Sequence, residues 1–163
     1  MPGAKTVLGI DLRVASVKVV EVEKGAVINS AMTEIPAELL HQHPQMEDTK
    51  AEALRRLIQT NKITSKEAYV VVGGGDTLIK LFTLSVLPPN EVAEGIKWKL
   101  SEEMPFPAEE ALIDHYALPS LSKGSEKIDY VAACISKKLY VETKYIINKA
   151  GLKLLGVVVL PDA

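Results

Sequence analysis

The sequence predicts a mixed α/β protein of two subdomains. Three features carry that expectation: Val-rich apolar runs of strand length at both ends of the chain, amphipathic helical segments between them, and their order. The order is β-rich, then α, then β-α-β-β-α-β. Thr6 to Asp11 (TVLGID) is a short apolar run and reads as a buried strand, with Ser16 to Glu23 (SVKVVEVE) as its neighbour. Only Leu12 to Ala15 separates them, so a hairpin is the economical connection. Lys24-Gly25 turns the chain into Ala26 to Ile35, completing an antiparallel meander that Pro36 stops.

Glu38 to Glu47 is polar and Pro-broken and reads as a loop. Thr49 with Glu52 has capping-box spacing, so a helix is expected to start there, burying Ala51, Leu54, Leu57 and Ile58 and stopping at Asn61. Ala68 to Val72 is a buried strand running into Gly73-Gly74-Gly75, and Thr77 to Val86 is the next. Pro88-Pro89-Asn90 opens a second helix, whose Val92, Ile96, Leu100 and Met104 repeat every fourth residue. Pro105-Phe106-Pro107 ends it. Ala111 to Leu118 and Ile128 to Ile135 read as a strand pair joined by the polar loop Ser120 to Lys127. Ser136 caps a last helix that buries Leu139, Ile146 and Ala150, Gly151 closes it, and Leu152 to Leu160 is the final strand.

Composition narrows the function. With 163 residues, 47% of them hydrophobic and 25% charged, the chain has a globular make-up. At that length folding buries about 70% of the unfolded chain's surface. A net charge of −2 and a pI near 6.0 argue against a protein built to hold nucleic acid or an anionic membrane. The single cysteine, Cys134, excludes an internal disulfide framework and reads as buried packing. No apolar run approaches the roughly 18 residues of a membrane helix, and the N-terminus lacks a signal-peptide core. A soluble cytoplasmic domain without direct membrane insertion is expected.

Several motifs invite chemistry and fail its requirements. Gly73-Gly74-Gly75-Asp76 lacks the Lys-Ser/Thr of a phosphate loop and runs into a strand rather than a helix, so it reads as a strand-to-strand connection. His41, His43 and His115 have no metal-ligand spacing. The acid pairs Glu102-Glu103 and Glu109-Glu110 are adjacent in sequence and share no helix face. The β-α-β-β-α arrangement has neither the GxxG clamp nor the basic surface of a KH module. The best remaining candidate is the hairpin Gly9 to Lys18. An aspartate ending an apolar strand, followed by a tight turn, is how some actin-like and sugar-kinase ATPases hold phosphate and organise Mg²⁺ through water. Arg13 and Val14 stand at its apex, where close backbone approach favours glycine.

Three segments together resemble the type IV pilus assembly protein PilM family, relatives of the actin-like protein FtsA. They are GIDLRVASVKVVEV (Gly9 to Val22), LPPNEVAEGIKWKLSEEMPFPAEEALIDHYAL (Leu87 to Leu118) and YVAACISKKLYVETKYIINKAGLKLLGVVV (Tyr130 to Val159). The middle one is the most specific, with Leu-Pro, a helix containing Ile-x-Trp, Pro-Phe-Pro-x-Glu-Glu and an Asp-x-Tyr strand. The resemblance implies half of an actin-like, ribonuclease H-like fold. Subdomain 1A would comprise residues 1–75 plus 156–163, and an inserted subdomain 1C residues 76–155. It also implies a cytoplasmic scaffold, not an enzyme, peripheral to the bacterial inner membrane. Such a scaffold grips the N-terminal peptide of a PilN-like bitopic membrane protein in a groove between 1A and 1C. Other pilus platform or motor proteins are further implied partners.

Carried over from the family's phosphate hairpin, the site residues are Asp11, Arg13, Ser16 and Lys18. The family hairpin has Gly-Ser where this chain has Arg13-Val14, so no cofactor is expected here, although a full-length relative could take Mg-ATP. The chain ends at Asp162-Ala163, about where the family's second half begins, and reads as either a fragment or a shortened relative. Two rival readings follow. One is an actin-like ATPase completed by a second half, and the other is the cytoplasmic domain of a GspL-like type II secretion protein.

Overall fold

A computed structural model describes residues 6–12, 15–39, 46–119 and 126–160. The strands are β1 (Thr6–Asp11), β2 (Ser16–Glu23), β3 (Ala26–Glu34), β4 (Glu67–Val72), β5 (Thr77–Ser85), β6 (Ala111–Ala117), β7 (Lys127–Ser136) and β8 (Lys153–Val159). The helices are α1 (Met46–Thr60), α2 (Pro89–Ser101) and α3 (Lys137–Lys149). Two sheets form, one of order β3-β2-β1-β4-β8 and one of order β5-β7-β6. The first has an antiparallel β1-β2-β3 meander, with β4 returning parallel to β1 after the α1 crossover.

Strand alternation sorts the residues of this five-stranded unit. Leu8, Ile10, Val17, Val19 and Val70 are buried on one face, and α1 adds Met46, Ala51, Leu54, Leu57 and Ile58 to the unit's core. The β2–β3 turn places both Lys24 (φ 50°) and Gly25 (φ 82°) in the left-handed region, as a two-residue turn matching strand twist requires. Buried Glu21 accepts hydrogen bonds from the Ser65 amide (2.8 Å), the Thr64 amide (3.2 Å) and the Thr64 hydroxyl (3.2 Å). That carboxylate fastens the α1–β4 connection to β2, and its burial is compensated by these donors.

Helix α1 begins at Met46, a turn before the expected capping box. Thr49 therefore lies inside the helix, and Glu52 pairs with Arg55 and Arg56 instead of closing a cap. Glu47 and Asp48 supply the acidic first turn that the helix dipole favours. At the other end Lys62 takes the left-handed position (φ 52°) that glycine usually fills, and the Ile63 amide bonds back to the Ile58 carbonyl at 3.0 Å.

The three-stranded unit is antiparallel throughout. Helix α2 packs Val92, Ile96 and Leu100 against Leu84, Tyr130, Ala132 and Cys134, with Met104 and Phe106 at the margin. Pro89 opens the helix, where its missing N–H costs nothing. The helix ends at Ser101 rather than Met104, and just beyond it the Glu103 amide makes a tighter 3₁₀-type bond to the Leu100 carbonyl at 3.0 Å. Ser136 caps α3 as expected, its hydroxyl accepting from the Leu139 amide at 3.1 Å, and Gly151 (φ 80°) follows the helix.

Contacts divide the chain into Met1–Val72 with Tyr140–Val158, and Gly73–Leu139 with Val159–Ala163. This division differs from the expected 1–75 plus 156–163 and 76–155. Most of α3 and nearly all of β8 belong with the five-stranded sheet. The reason is local: β8 pairs with β4, and Tyr145 and Lys149 of α3 both donate to Asp48 of α1.

Candidate functional site

The hairpin between β1 and β2 is built by the register Asp11↔Lys18, which continues Gly9↔Val20 and Ile10↔Val19. Cross-strand partners share a sheet face, so Asp11, Lys18 and Ser16 lie on the face opposite the buried Leu8, Ile10, Val17 and Val19. Gly9 sits where a Cβ would come 3.0 Å from Val20 Cγ2, so a side chain there would press on Val20. Asp11 ends the strand, Leu12 is buried behind it, and Ala15 accepts a hydrogen bond from the Ile35 amide at 2.9 Å. Arg13 and Val14 lie outside the described residues. Of the four predicted site residues, Asp11, Ser16 and Lys18 are therefore brought together, with Ser16 half-buried and Lys18 exposed.

Lys50 of α1 reaches the backbone of the same hairpin, and sequence reasoning missed it. Its Nζ donates to the Leu12 carbonyl at 2.8 Å. Burial pushes the Lys50 ammonium below its ordinary pKa, while the charges of Glu47, Glu142 and Asp11 work in the opposite direction. The signal was present: with the helix starting at Met46, Lys50 falls in the stripe Met46, Lys50, Leu54 at four-residue spacing. A lysine in an apolar stripe asks for a polar partner.

The other motifs resolve structurally. Gly74 (φ 96°) turns the chain, and its carbonyl accepts from both the Thr77 amide (3.0 Å) and hydroxyl (2.9 Å). The triglycine is a turn closed on itself. Cys134 is buried with a thiol pKa raised by desolvation, which makes it inert packing. His115 lies tilted against Tyr130 with ring centroids 6.0 Å apart, and His41 and His43 are outside the described residues. Among the described residues no cluster of His, Cys, Asp or Glu has metal-site geometry. No described helix is long and apolar enough to cross a membrane.

The five-stranded unit also carries a groove of about 840 Å³ between β3 and α1, lined by Met32, Glu34, Asp48, Glu52, Arg56 and Leu57 among others. Its acids are mostly neutralised. Asp48 Oδ1 accepts from Tyr145 Oη (2.7 Å) and Lys149 Nζ (2.6 Å), and both bonds hold its pKa below the ordinary value. The Arg55 and Arg56 guanidiniums bring Glu52 down to about 2.

The family model for type IV pilus assembly protein PilM matches residues 9–160. Among solved structures, a PilM-PilN type IV pilus biogenesis complex is similar with a TM-score of 0.79 and 19% identity, over 94% of this chain and 47% of that one. The cytoplasmic domain of EpsL, an inner membrane component of the type II secretion system of Vibrio cholerae, is similar with a TM-score of 0.58 and 16% identity. That match covers 94% of this chain and 57% of the other. The chain thus spans about half the length of these two structures.

Proposed function

The chain belongs to the type IV pilus assembly protein PilM family, and on that premise we propose that it is a scaffold of the pilus assembly platform that binds the cytoplasmic N-terminal peptide of a PilN-like membrane protein. The observation that carries this reading is the extent of the family match, residues 9–160, which takes in both structural units. Likeness to a structure described as a PilM-PilN complex supports the choice of partner. An extended peptide would be held by backbone hydrogen bonds and a few side-chain pockets. Membrane association would come through that partner.

Within this reading the chain is not an enzyme. The hairpin supplies one carboxylate, one hydroxyl and one exposed ammonium, Asp11, Ser16 and Lys18. Lys50, a half-buried cation of α1, is committed to the Leu12 carbonyl. With Lys18 exposed and Asp11 and Ser16 only half-buried, the set lacks the full enclosure that strengthens charge pairing with phosphate. We read it as an incomplete half-site. In a longer relative the same residues would hold the phosphates and organise Mg²⁺ of an ATP bound between two halves.

Co-purification tests the partner. The chain should be retained on immobilised PilN-like protein in detergent, and lost when the partner's cytoplasmic N-terminus is deleted. Retention on the truncated partner would overturn the reading.

A further inference from the structure

The outward face of α2 carries the chain's one tryptophan, whose side chain makes no hydrogen bond or ring contact among the described residues. Trp98 is 64% exposed, whereas Val92, Ile96 and Leu100 on the opposite side are buried in the core. At about 100° per residue, Glu91, Glu94 and Glu102 all project within about 40° of Trp98, and Gly95 lies about 60° away. Gly95 has open space where a Cβ would stand, which leaves a notch beside the indole. Lys97 and Lys99 fall near 100° on either side, outside this stripe. Lys99 is directed to the ring of Phe82, its Nζ 6.0 Å from the centroid.

The three carboxylates are unspent. Glu91, Glu94 and Glu102 are exposed, and none forms an ion pair or side-chain hydrogen bond among the described residues. Neighbouring Glu103, by contrast, is paired with Lys80 at 2.5 Å. An exposed indole ringed by unpaired acids has a definite complement. Arginine or lysine stacks on the indole face by cation–π attraction and meets a carboxylate with its N–H groups. Tryptophan is also the residue type that most often anchors an interface. Anionic lipid and nucleic acid are repelled by the same charges.

We propose that the α2 face centred on Trp98, with Glu91, Glu94 and Glu102, is a docking surface for a basic, arginine-bearing segment of a protein partner. This proposal does not depend on the peptide-binding reading above.

Because Trp98 is the only tryptophan, its fluorescence reports directly on occupancy. The probe is a synthetic amphipathic peptide with arginine on one face and leucine on the other, with a glutamate-for-arginine twin as control. Titration should quench or shift the emission with the arginine peptide alone, and the affinity should fall about tenfold or more from low to high salt. Charge reversal by Glu91→Lys with Glu94→Lys should weaken binding at least tenfold. The same charge change placed elsewhere, Glu34→Lys with Glu126→Lys, should leave binding within twofold. Calorimetry with Trp98→Ala should show a similar loss, with circular dichroism unchanged because every altered side chain is exposed. Equal binding by the two charge-reversed proteins, or by the two peptides, would overturn the proposal. Dimerisation of the chain without peptide, abolished by Glu94→Lys, would also overturn it, by making the occupant a second copy.

Discussion

Lys50 reaches 38 residues back along the chain to donate its Nζ to the carbonyl oxygen of Leu12 at 2.8 Å, tying helix α1 to the hairpin that ends in Asp11. The contact fixes the backbone just before the turn. It also accounts for a charged side chain being tolerated in the apolar stripe of α1.

Lys50→Met keeps the aliphatic stem and deletes this tie. A hydrogen bond from a charged donor contributes about 1.5–3 kcal/mol, but burying the ammonium opposes it. The net change in stability at neutral pH should therefore stay within about 1 kcal/mol. The local effect should be larger, with faster amide exchange at Ser16 and Val17. Burial lowers the pKa of Lys50 from 10.5, so the unfolded chain binds the extra proton between the lowered value and 10.5. Wild-type stability should rise relative to Lys50→Met as pH climbs through that window. Thermal unfolding of the pair across alkaline pH measures this.

Ile96→Ala removes a fully buried side chain from the cluster beneath α2 and should destabilise the three-stranded unit by about 2–5 kcal/mol. Denaturant melts followed by Trp98 fluorescence would show a lower midpoint. An unchanged melt would mean that this stripe does not form a core.

Much of this was legible in the sequence. The meander, the α2 stripe and the Ser136 cap depend on neighbours in the chain, and periodicity and capping chemistry report such neighbours directly. The start of α1 was misplaced because Thr49 and Glu52 mimic a capping box, while Glu52 has stronger partners in Arg55 and Arg56. Lys50–Leu12, Glu21–Ser65 and Asp48–Lys149 join residues 38, 44 and 101 positions apart. A local pattern can mark a residue such as Lys50 as needing a polar partner, but it cannot name a partner so far along the chain. The assignment of α3 to the five-stranded unit was missed for the same reason.

Asp48 holds α1 to α3 through Lys149 and Tyr145, and hydrogen bonds from both lower its pKa from 3.8. Its contribution is therefore present above the ordinary carboxylate pKa and is lost as pH falls through the lowered value. Lys149 is raised from 10.5 by the same bond, so its share persists below that value and is lost as pH rises through the raised one. The difference in melting temperature between wild type and Asp48→Asn should be flat at neutral pH and shrink at both extremes. Added salt should also reduce it, because the pair is exposed.

Mg-ATP should neither bind tightly to this chain nor be hydrolysed by it. Calorimetric titration should show no low-micromolar event. A low-micromolar dissociation constant abolished by Asp11→Ala would mean that the half-site works and that the scaffold reading is too narrow.

The central claim is that this chain is a peptide-binding scaffold, and calorimetric titration with a synthetic N-terminal peptide of the PilN-like partner tests it most directly. The account predicts saturable one-to-one binding with a dissociation constant on the order of micromolar, or about −8 kcal/mol, unaffected by Mg-ATP. No heat of binding with peptide at millimolar concentration would contradict it.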